Sequence, residues 1–285
     1  SSRLIIDWSL VQVQVGPPFF FGRDATRGII KPMFPALLPQ LITLTSQVGE
    51  CIMTLHREKL DITVKSDNTP LTLADETAHR LISEELERLT PGIPVLSEES
   101  QEIPFEIRKK WDEYWLIDPL DGTRDFLDGN YDFCINIAYV KNNYPVFGLI
   151  YAPFSKVHYY RIPGEASIKL LDSVCYQLKT SKPKHWQHVV IGHYSSTNKQ
   201  LQKHLNDKSN FELFLLGSAL KFCTIAEGKH HYYPKFGPCS EWDTAAGVCI
   251  LEGAGGSVKD LDGKPLCYNT KENSISPPFL ASAQL

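Results

Sequence analysis

Apolar segments rich in β-branched and aromatic residues crowd the middle of the chain: "IPVLS", "YWLID", "FCINIAYV", "PVFGLIYAP" and "VHYYRI", between residues 93 and 162. Turn residues separate several of them, and Asn142-Asn143 joins two as a hairpin would. Strands this close in sequence pair mostly antiparallel, because a parallel pair needs a long crossover. Helical spacing precedes them. Leu41, Leu44, Val48, Ile52 and Leu55 recur on one helix face, with Pro35 and Pro39 near its start. Ala78, Leu81, Ile82, Leu86 and Leu89 form a second face, stopped by Pro91-Gly92, and Thr72 with Asp75 fits a capping box.

The pattern changes after residue 155. "HVVIG" (188–192) reads as a strand, "GSALKFCTIAEG" (217–228) and "WDTAAGVCILEGAGG" (242–256) as helices, and "GSVKDL" as a further strand. The expected organisation is an α+β domain over 33–155 packed closely against an α/β domain over 156–285. Residues 1–32 read as an N-terminal extension of uncertain status. The chain does not begin with Met, Met33 is the next candidate initiator, and the first residues make a poor signal peptide.

A chain of 285 residues is long enough for one large core or two intimate domains. Its formal net charge of −4 and pI near 6.1 argue against nonspecific attraction to nucleic acid or to anionic membranes. No apolar run approaches the roughly 20 residues that span a bilayer. The 7 cysteines are scattered, odd in number and without a CxxC pair, which favours a reducing, cytoplasmic setting over a disulfide framework.

Function is written in acids that follow strand-like runs. "VLSEES" (95–100) and "WLIDPLDGTRDF" (115–126) each place carboxylates where a buried sheet edge opens. Pro119 biases Asp118 toward extended backbone, and Gly122 permits a tight bend behind Asp121. Both carboxylates, with the Leu120 carbonyl between them, could then aim at one point. Converging carboxylates repel unless a cation neutralises them, and an all-oxygen set suits Mg²⁺. Each feature also has a plain reading: D-P-x-D-G as a surface turn, Asp75 as a helix cap, Glu98 and Glu99 as solvated acids.

The motifs "KSDNTPLTLADETAH", "LSEES", "WLIDPLDGTRDF" and "EWDTAAG", in this order, resemble the linked signatures of the inositol monophosphatase superfamily. "GSALKFCTIAEG", "YYPKFGPCSEWDTAAG" and "DLDGKPLCYNTKENSISPPFLAS" look closest to its CysQ-type 3′(2′),5′-bisphosphate nucleotidases. The resemblance covers about residue 36 to the C-terminus. It implies a layered αβαβα sandwich, with a mostly antiparallel N-terminal sheet and a smaller mixed C-terminal sheet. It also implies Mg²⁺-dependent, lithium-sensitive phosphomonoesterase activity with two metal ions, or three, per site.

By resemblance, Glu98 and Asp118 are ligands shared within the metal cluster, the Leu120 carbonyl completes the first site, and Asp121 and Asp243 serve the second. Asp75 and Thr123 would orient and deprotonate the attacking water, with Glu99 in support, and Gly122 and Thr123 would offer amides to the phosphate. Ser218 and Lys221, three apart on one expected helix face, would meet the nucleotide and its second phosphate. Lys235 and His193 are further candidates, with ordinary surface exposure as their plain alternative. One departure stands out: "YYRIPGEASIKL" lacks the compact signature expected after the fifth strand.

The implied reaction removes the 3′-phosphate of adenosine 3′,5′-bisphosphate, with 3′-phosphoadenylyl sulfate as a further substrate. The alternatives are an inositol monophosphatase, a polyphosphate 1-phosphatase, or a phosphate-ligand sensor without catalysis. The expected partner is a small nucleotide bisphosphate rather than nucleic acid. The resemblance leaves room for a homodimer and for peripheral attachment at the inner membrane face.

Overall fold

The computed structural model describes residues 33–57, 62–64, 70–185 and 187–283. The extension expected over 1–32, the first five residues of the "KSDNT" motif and the Thr72 side chain of the capping box lie outside what is described.

The chain runs α1 (Met33–Arg57), β1 (Ile62–Val64), β2 (Pro70–Thr72), α2 (Leu73–Leu89), β3 (Val95–Ser97), α3 (Phe105–Arg108), β4 (Glu113–Asp121), α4 (Thr123–Leu127) and β5 (Cys134–Lys141). Then come β6 (Tyr144–Ala152), β7 (Val157–Arg161), β8 (Ile168–Leu171), β9 (Val174–Gln177), β10 (Gln187–Ile191), α5 (Lys199–Asn206) and β11 (Phe211–Leu215). The last elements are α6 (Leu220–Ala226), β12 (Tyr232–Lys235), α7 (Ala245–Gly253), β13 (Ser257–Asp260) and β14 (Phe279–Ser282).

Strands β3 to β9 form a seven-stranded sheet in sequential order, parallel only between β3 and β4. The five-stranded sheet has the order β11-β10-β12-β14-β13 and mixes parallel and antiparallel pairs. Alternation along the strands sets the layers. Trp115, Ile117, Ile135, Ile137 and Leu149 enter one core with α1 and α2. Leu116, Ala138, Val140 and Ile150 enter another, shared with Phe222 of α6, Val248 and Ile250 of α7, and Val258 and Ala281 of the second sheet. On that sheet's far side Val189 and Ile191 pack on Leu201 and Leu205 of α5. The result is the α-β-α-β-α stack that the resemblance implied, with α6 and α7 between the sheets.

Several expectations shift in detail. The first helix begins at Met33 and contains Pro39, not at Leu41 after the prolines. Pro35, in the first turn, forfeits only an amide with no helical partner, and the carbonyl that Pro39 leaves without an amide four residues on is that of Pro35, which is exposed and can meet water. The strands after residue 155, β7 to β9, remain in the seven-stranded sheet, which ends at Gln177. The atypical stretch near residue 165 does reach the junction: Ser167 Oγ donates to the Ile250 carbonyl at 2.6 Å, and Arg161 Nη1 to that of Cys249 at 3.3 Å. The Asn142-Asn143 hairpin turn forms with positive φ at both residues, as an Asn-rich tight turn should.

All seven cysteines are unpaired thiols, and Cys134 and Cys223 lie in the core as their apolar settings suggested. Among the described residues no helix is long and apolar enough to cross a membrane.

Helix α7 approaches β6 at Gly148, where an added Cβ would stand 2.6 Å from the Ala246 carbonyl oxygen. Backbone cannot yield there as a side chain can. Gly148→Ala should therefore lower unfolding free energy by roughly 1–3 kcal/mol, the range for overpacking a core. Urea denaturation with an unchanged m-value would register it, and an unaltered midpoint would contradict the close approach.

Candidate active site

The site begins with an irregularity in β4. Asp118 pairs with Asn136 and Asp121 with Cys134, so one extra residue of β4 is accommodated across from β5. Residues three apart on a regular strand face opposite sides; a bulge reverses that parity. Packing shows the reversal: Trp115, Ile117 and Leu120 share one core, although 120 has the opposite parity. Asp118 and Asp121 are thereby both directed toward α6 and α7. "IDPLDG" is thus not a surface turn. The strand continues through it to Asp121, and Asp118 is 1% exposed.

Glu98, Asp118 and Asp243 offer carboxylate oxygens that all lie within 4.8 Å of one another. They come from the turn after β3, from β4, and from the segment leading into α7. Parallel pairing of β3 with β4 continues into the Glu98 amide, which donates to the Ile117 carbonyl at 3.3 Å and sets Glu98 beside Asp118. Burial drives the Asp118 carboxyl well above its ordinary pKa, and the charges of Glu98, Asp121, Asp243 and Asp75 add to the effect. Burial, then Asp121, pushes Asp243 up to about 7.

Asp121 is held differently. Its Oδ2 accepts from the Ala219 amide at 2.6 Å and from Asn136 Nδ2 at 3.1 Å. Burial raises its pKa, opposed chiefly by the neighbouring Lys221 ammonium. Asp121 thus adjoins the three-carboxylate group and ties β4 to the start of α6. Asp243 Oδ2 accepts from the Ser240 amide at 3.0 Å, and the Cys239 thiol lies 3.4 Å away.

Thr123 opens the short α4 behind Gly122, whose φ of +95° suits glycine. The Thr123 hydroxyl sits 3.1 Å from the Leu120 carbonyl and 3.4 Å from Asp75 Oδ1. Asp75 is buried in the first turn of α2. One turn later His79 Nδ1 lies 2.9 Å from Ser97 Oγ, which locks α2 to β3 beside the Glu98-Glu99 turn. The Glu99 amide donates to that same Ser97 Oγ at 3.3 Å.

The second-half candidates divide. Ser218 does not belong to a helix face: α6 begins at Leu220, and Ser218 has a left-handed φ of +48°. Its Oγ accepts weakly from the Leu220 amide at 3.4 Å rather than serving as the N-cap. Lys221 is buried, its ammonium donating to the Leu216 carbonyl at 3.3 Å and to that of Ser218. Burial lowers its pKa, and Asp121 opposes the shift. Lys235, at the end of β12, lines the same cavity as Lys221, Asp121 and Asp243. His193 also lines that cavity, but its Nε2 is engaged by Asp132 Oδ2 at 2.7 Å. Asp132 in turn accepts from the Gly217 amide at 3.3 Å. Sequence reading passed over Asn136 and Asp132. Asn136 carried a signal, an amide inside the apolar run "FCINIAYV"; Asp132 carried none.

Two cavities meet at the acids. One, of about 590 Å³, takes in Asp121 and Asp243 and, beyond them, the cations Arg124, Lys221 and Lys235 against the single acid Asp125. The other, of about 790 Å³, takes in Glu98 with Glu102, Glu106 and Glu272 against the lone Arg108. An all-oxygen group, buried at Asp118 and partly exposed at Glu98 and Asp243, whose members repel one another is the donor chemistry that Mg²⁺ satisfies, with room for the water ligands it retains. Glu98, Asp118 and Asp243 would hold such an ion, with Asp121 and the Leu120 carbonyl adjoining.

The sequence profile of the inositol monophosphatase family matches residues 36–283. The chain is 39% identical over 248 residues to the 3′(2′),5′-bisphosphate nucleotidase CysQ of Salmonella typhimurium, covering 85% of this chain and 98% of that one. It is 37% identical over 251 residues to the corresponding protein of Escherichia coli strain K12, covering 86% and 99%. The crystal structure of CysQ from Bacteroides thetaiotaomicron superposes with a TM-score of 0.77 at 33% identity, over 88% of this chain and 98% of that one.

The crowding of acids has a thermodynamic signature. Mg²⁺ at a hundredfold excess over its Kd should add about 2.7 kcal/mol to folding stability. Asp118→Asn should erase that gain while leaving the metal-free protein as stable as the wild type or more so. Thermal melts with EDTA and with Mg²⁺ would test both halves, and a Mg²⁺-induced rise retained in the variant would remove Asp118 from the metal site.

Proposed function

The chain belongs to the inositol monophosphatase family, and from that premise we propose that it hydrolyses the 3′-phosphate of adenosine 3′,5′-bisphosphate to AMP and phosphate. The observation that carries the choice of substrate is the charge of the two cavities. A monoester that bears a second phosphate is repelled by the glutamate-lined cavity and drawn into the one with Arg124, Lys221 and Lys235. The 37–39% identity to CysQ nucleotidases supports the same reading. A 3′-phosphoadenylyl sulfate, anionic at the same end, would be held the same way.

Glu98, Asp118 and Asp243, with Asp121 and the Leu120 carbonyl adjoining, would hold two magnesium ions. When bound, magnesium lowers the pKa of an attacking water and stabilises the leaving oxygen of an in-line displacement. Thr123 and Asp75 then form the proton relay: the hydroxyl lies 3.4 Å from Asp75 Oδ1, accepts from the water, and passes its own proton to the carboxylate. Glu99 supports the water from the β3 side. Gly122 and Thr123 present their amides to the transferring phosphate. Lys221 holds a point charge toward the second phosphate, and Lys235 assists from β12. His193 keeps its bond to Asp132 and shapes the cavity wall rather than touching phosphate, and Ser218 places the Ala219 amide on Asp121. The division of labour follows the two sheets, with water activation on the β4 side and substrate selection on the β10–β12 side.

Phosphate release from a panel of adenosine 3′,5′-bisphosphate, 3′-AMP and inositol 1-phosphate, with Mg²⁺ and with EDTA, tests this directly. The bisphosphate should lead inositol 1-phosphate by at least about tenfold in kcat/KM, the worth of one charge-assisted contact. EDTA should abolish turnover. A preference for the inositol ester would replace this substrate by the family's other one. Lys221→Ala should cost about tenfold more on the bisphosphate than on 3′-AMP. Equal losses would take Lys221 out of second-phosphate recognition.

A further inference from the structure

Building on the bisphosphate-nucleotidase reading, we propose that Tyr194 is the platform on which the nucleobase of the substrate stacks. Tyr194 lies in the segment after β10 and lines the cavity that also holds Arg124, Lys221 and Lys235. Three other aromatic rings border that cavity. Phe222 and Tyr233 are buried, and Phe236 is packed against the α5 side of the second sheet. Tyr194 differs, with 45% of its surface exposed.

An exposed aromatic ring is ordinarily mobile. This one is fixed from two sides. Its hydroxyl donates to the Asp128 carboxylate, and the Arg124 guanidinium stands 4.7 Å from the ring centroid. The bond to Asp128 raises the phenol pKa to about 12, so the hydroxyl remains a donor near neutral pH. Arg124 belongs to α4 and Asp128 is its C-cap, and α4 starts at Thr123, beside the acids. The short helix therefore sets the distance from the ring to the hydrolytic centre. A ring fixed in advance loses little conformational entropy when a base settles on it.

This cavity offers its three cations to the phosphates and the exposed Tyr194 ring to the rest of the molecule. Stacking depends on a π face and tolerates any base. The platform therefore separates base-bearing from base-free bisphosphates more strongly than it separates one base from another.

The test is steady-state kinetics of wild type, Tyr194→Ala and Tyr194→Phe on adenosine 3′,5′-bisphosphate and on base-free inositol 1,4-bisphosphate. Tyr194→Ala should raise KM for the nucleotide about tenfold with kcat held within about twofold, and leave the inositol ester unchanged. Tyr194→Phe keeps the ring and loses the Asp128 bond, so its KM should rise only about two- to threefold. An unchanged nucleotide KM in Tyr194→Ala, or an equal rise on both substrates, overturns the platform. If the wild type prefers the base-free ester, the functional reading falls, and calorimetric binding of AMP in Mg²⁺ buffer then judges the platform. AMP binding about tenfold weaker in Tyr194→Ala supports it, and binding unaltered by that substitution overturns it.

Discussion

Mutual repulsion among crowded carboxylates is the constraint around which this molecule is organised. Glu98, Asp118 and Asp243 bring oxygens within 4.8 Å of one another, and Asp118 also feels Asp121 and Asp75. Left alone, such a group favours protonation or separation. The fold prevents separation by drawing each acid from an element that has other reasons to be where it is. Asp118 sits in a buried central strand, Glu98 on the neighbouring parallel strand's end, and Asp243 at the mouth of a helix enclosed between two sheets. The charge is then a standing demand for a cation, and the chemistry proposed for the site follows from meeting that demand.

The bulge in β4 converts sheet geometry into site geometry. Without it Asp118 and Asp121 would face opposite layers, one of them buried against α1 and α2. With it, both face the α6 and α7 layer, and Asp121 can accept the Ala219 amide and so couple the two sheets through the start of α6. The tight contact of α7 on Gly148 has the same consequence at the other side of the cluster, since it fixes the helix that follows Asp243. Two apolar cores, one on each face of the seven-stranded sheet, hold in place the strands that carry the acids.

Charge outside the cluster is partitioned as sharply as within it. Beyond the acids of the cluster, one of the two adjoining cavities carries an excess of cations and the other an excess of glutamates, so a polyanionic ester has one direction of approach. Hydrogen-bonded seams keep the selecting side in register with the hydrolytic side: His193 to Asp132, Asp132 to Gly217, Asp121 to Ala219. His193, Asp132, Gly217 and Ala219 need touch no reacting atom to matter. They set where Lys221, Lys235 and Tyr194 stand relative to the acids.

The order and type of most elements were legible in the sequence, because period-two and helical patterns report which face of a strand or helix is apolar. So was the chemical character of the acids, since "LSEES", "DPLDGT" and "EWD" each follow or precede an element that must be buried. The sequence could not show that Ser218 lies outside α6 in a left-handed turn, that Lys221 is buried with its ammonium on two carbonyls, or that His193 is claimed by Asp132. Local pattern determined which residues would be inside and which would carry charge. Only the tertiary structure decided which of them meet, because the tie of β4 to the start of α6 and the close seat of α7 on β6 are contacts between residues 98 positions apart (Asp121 against Ala219, Gly148 against Ala246), and no local rule of spacing encodes those distances.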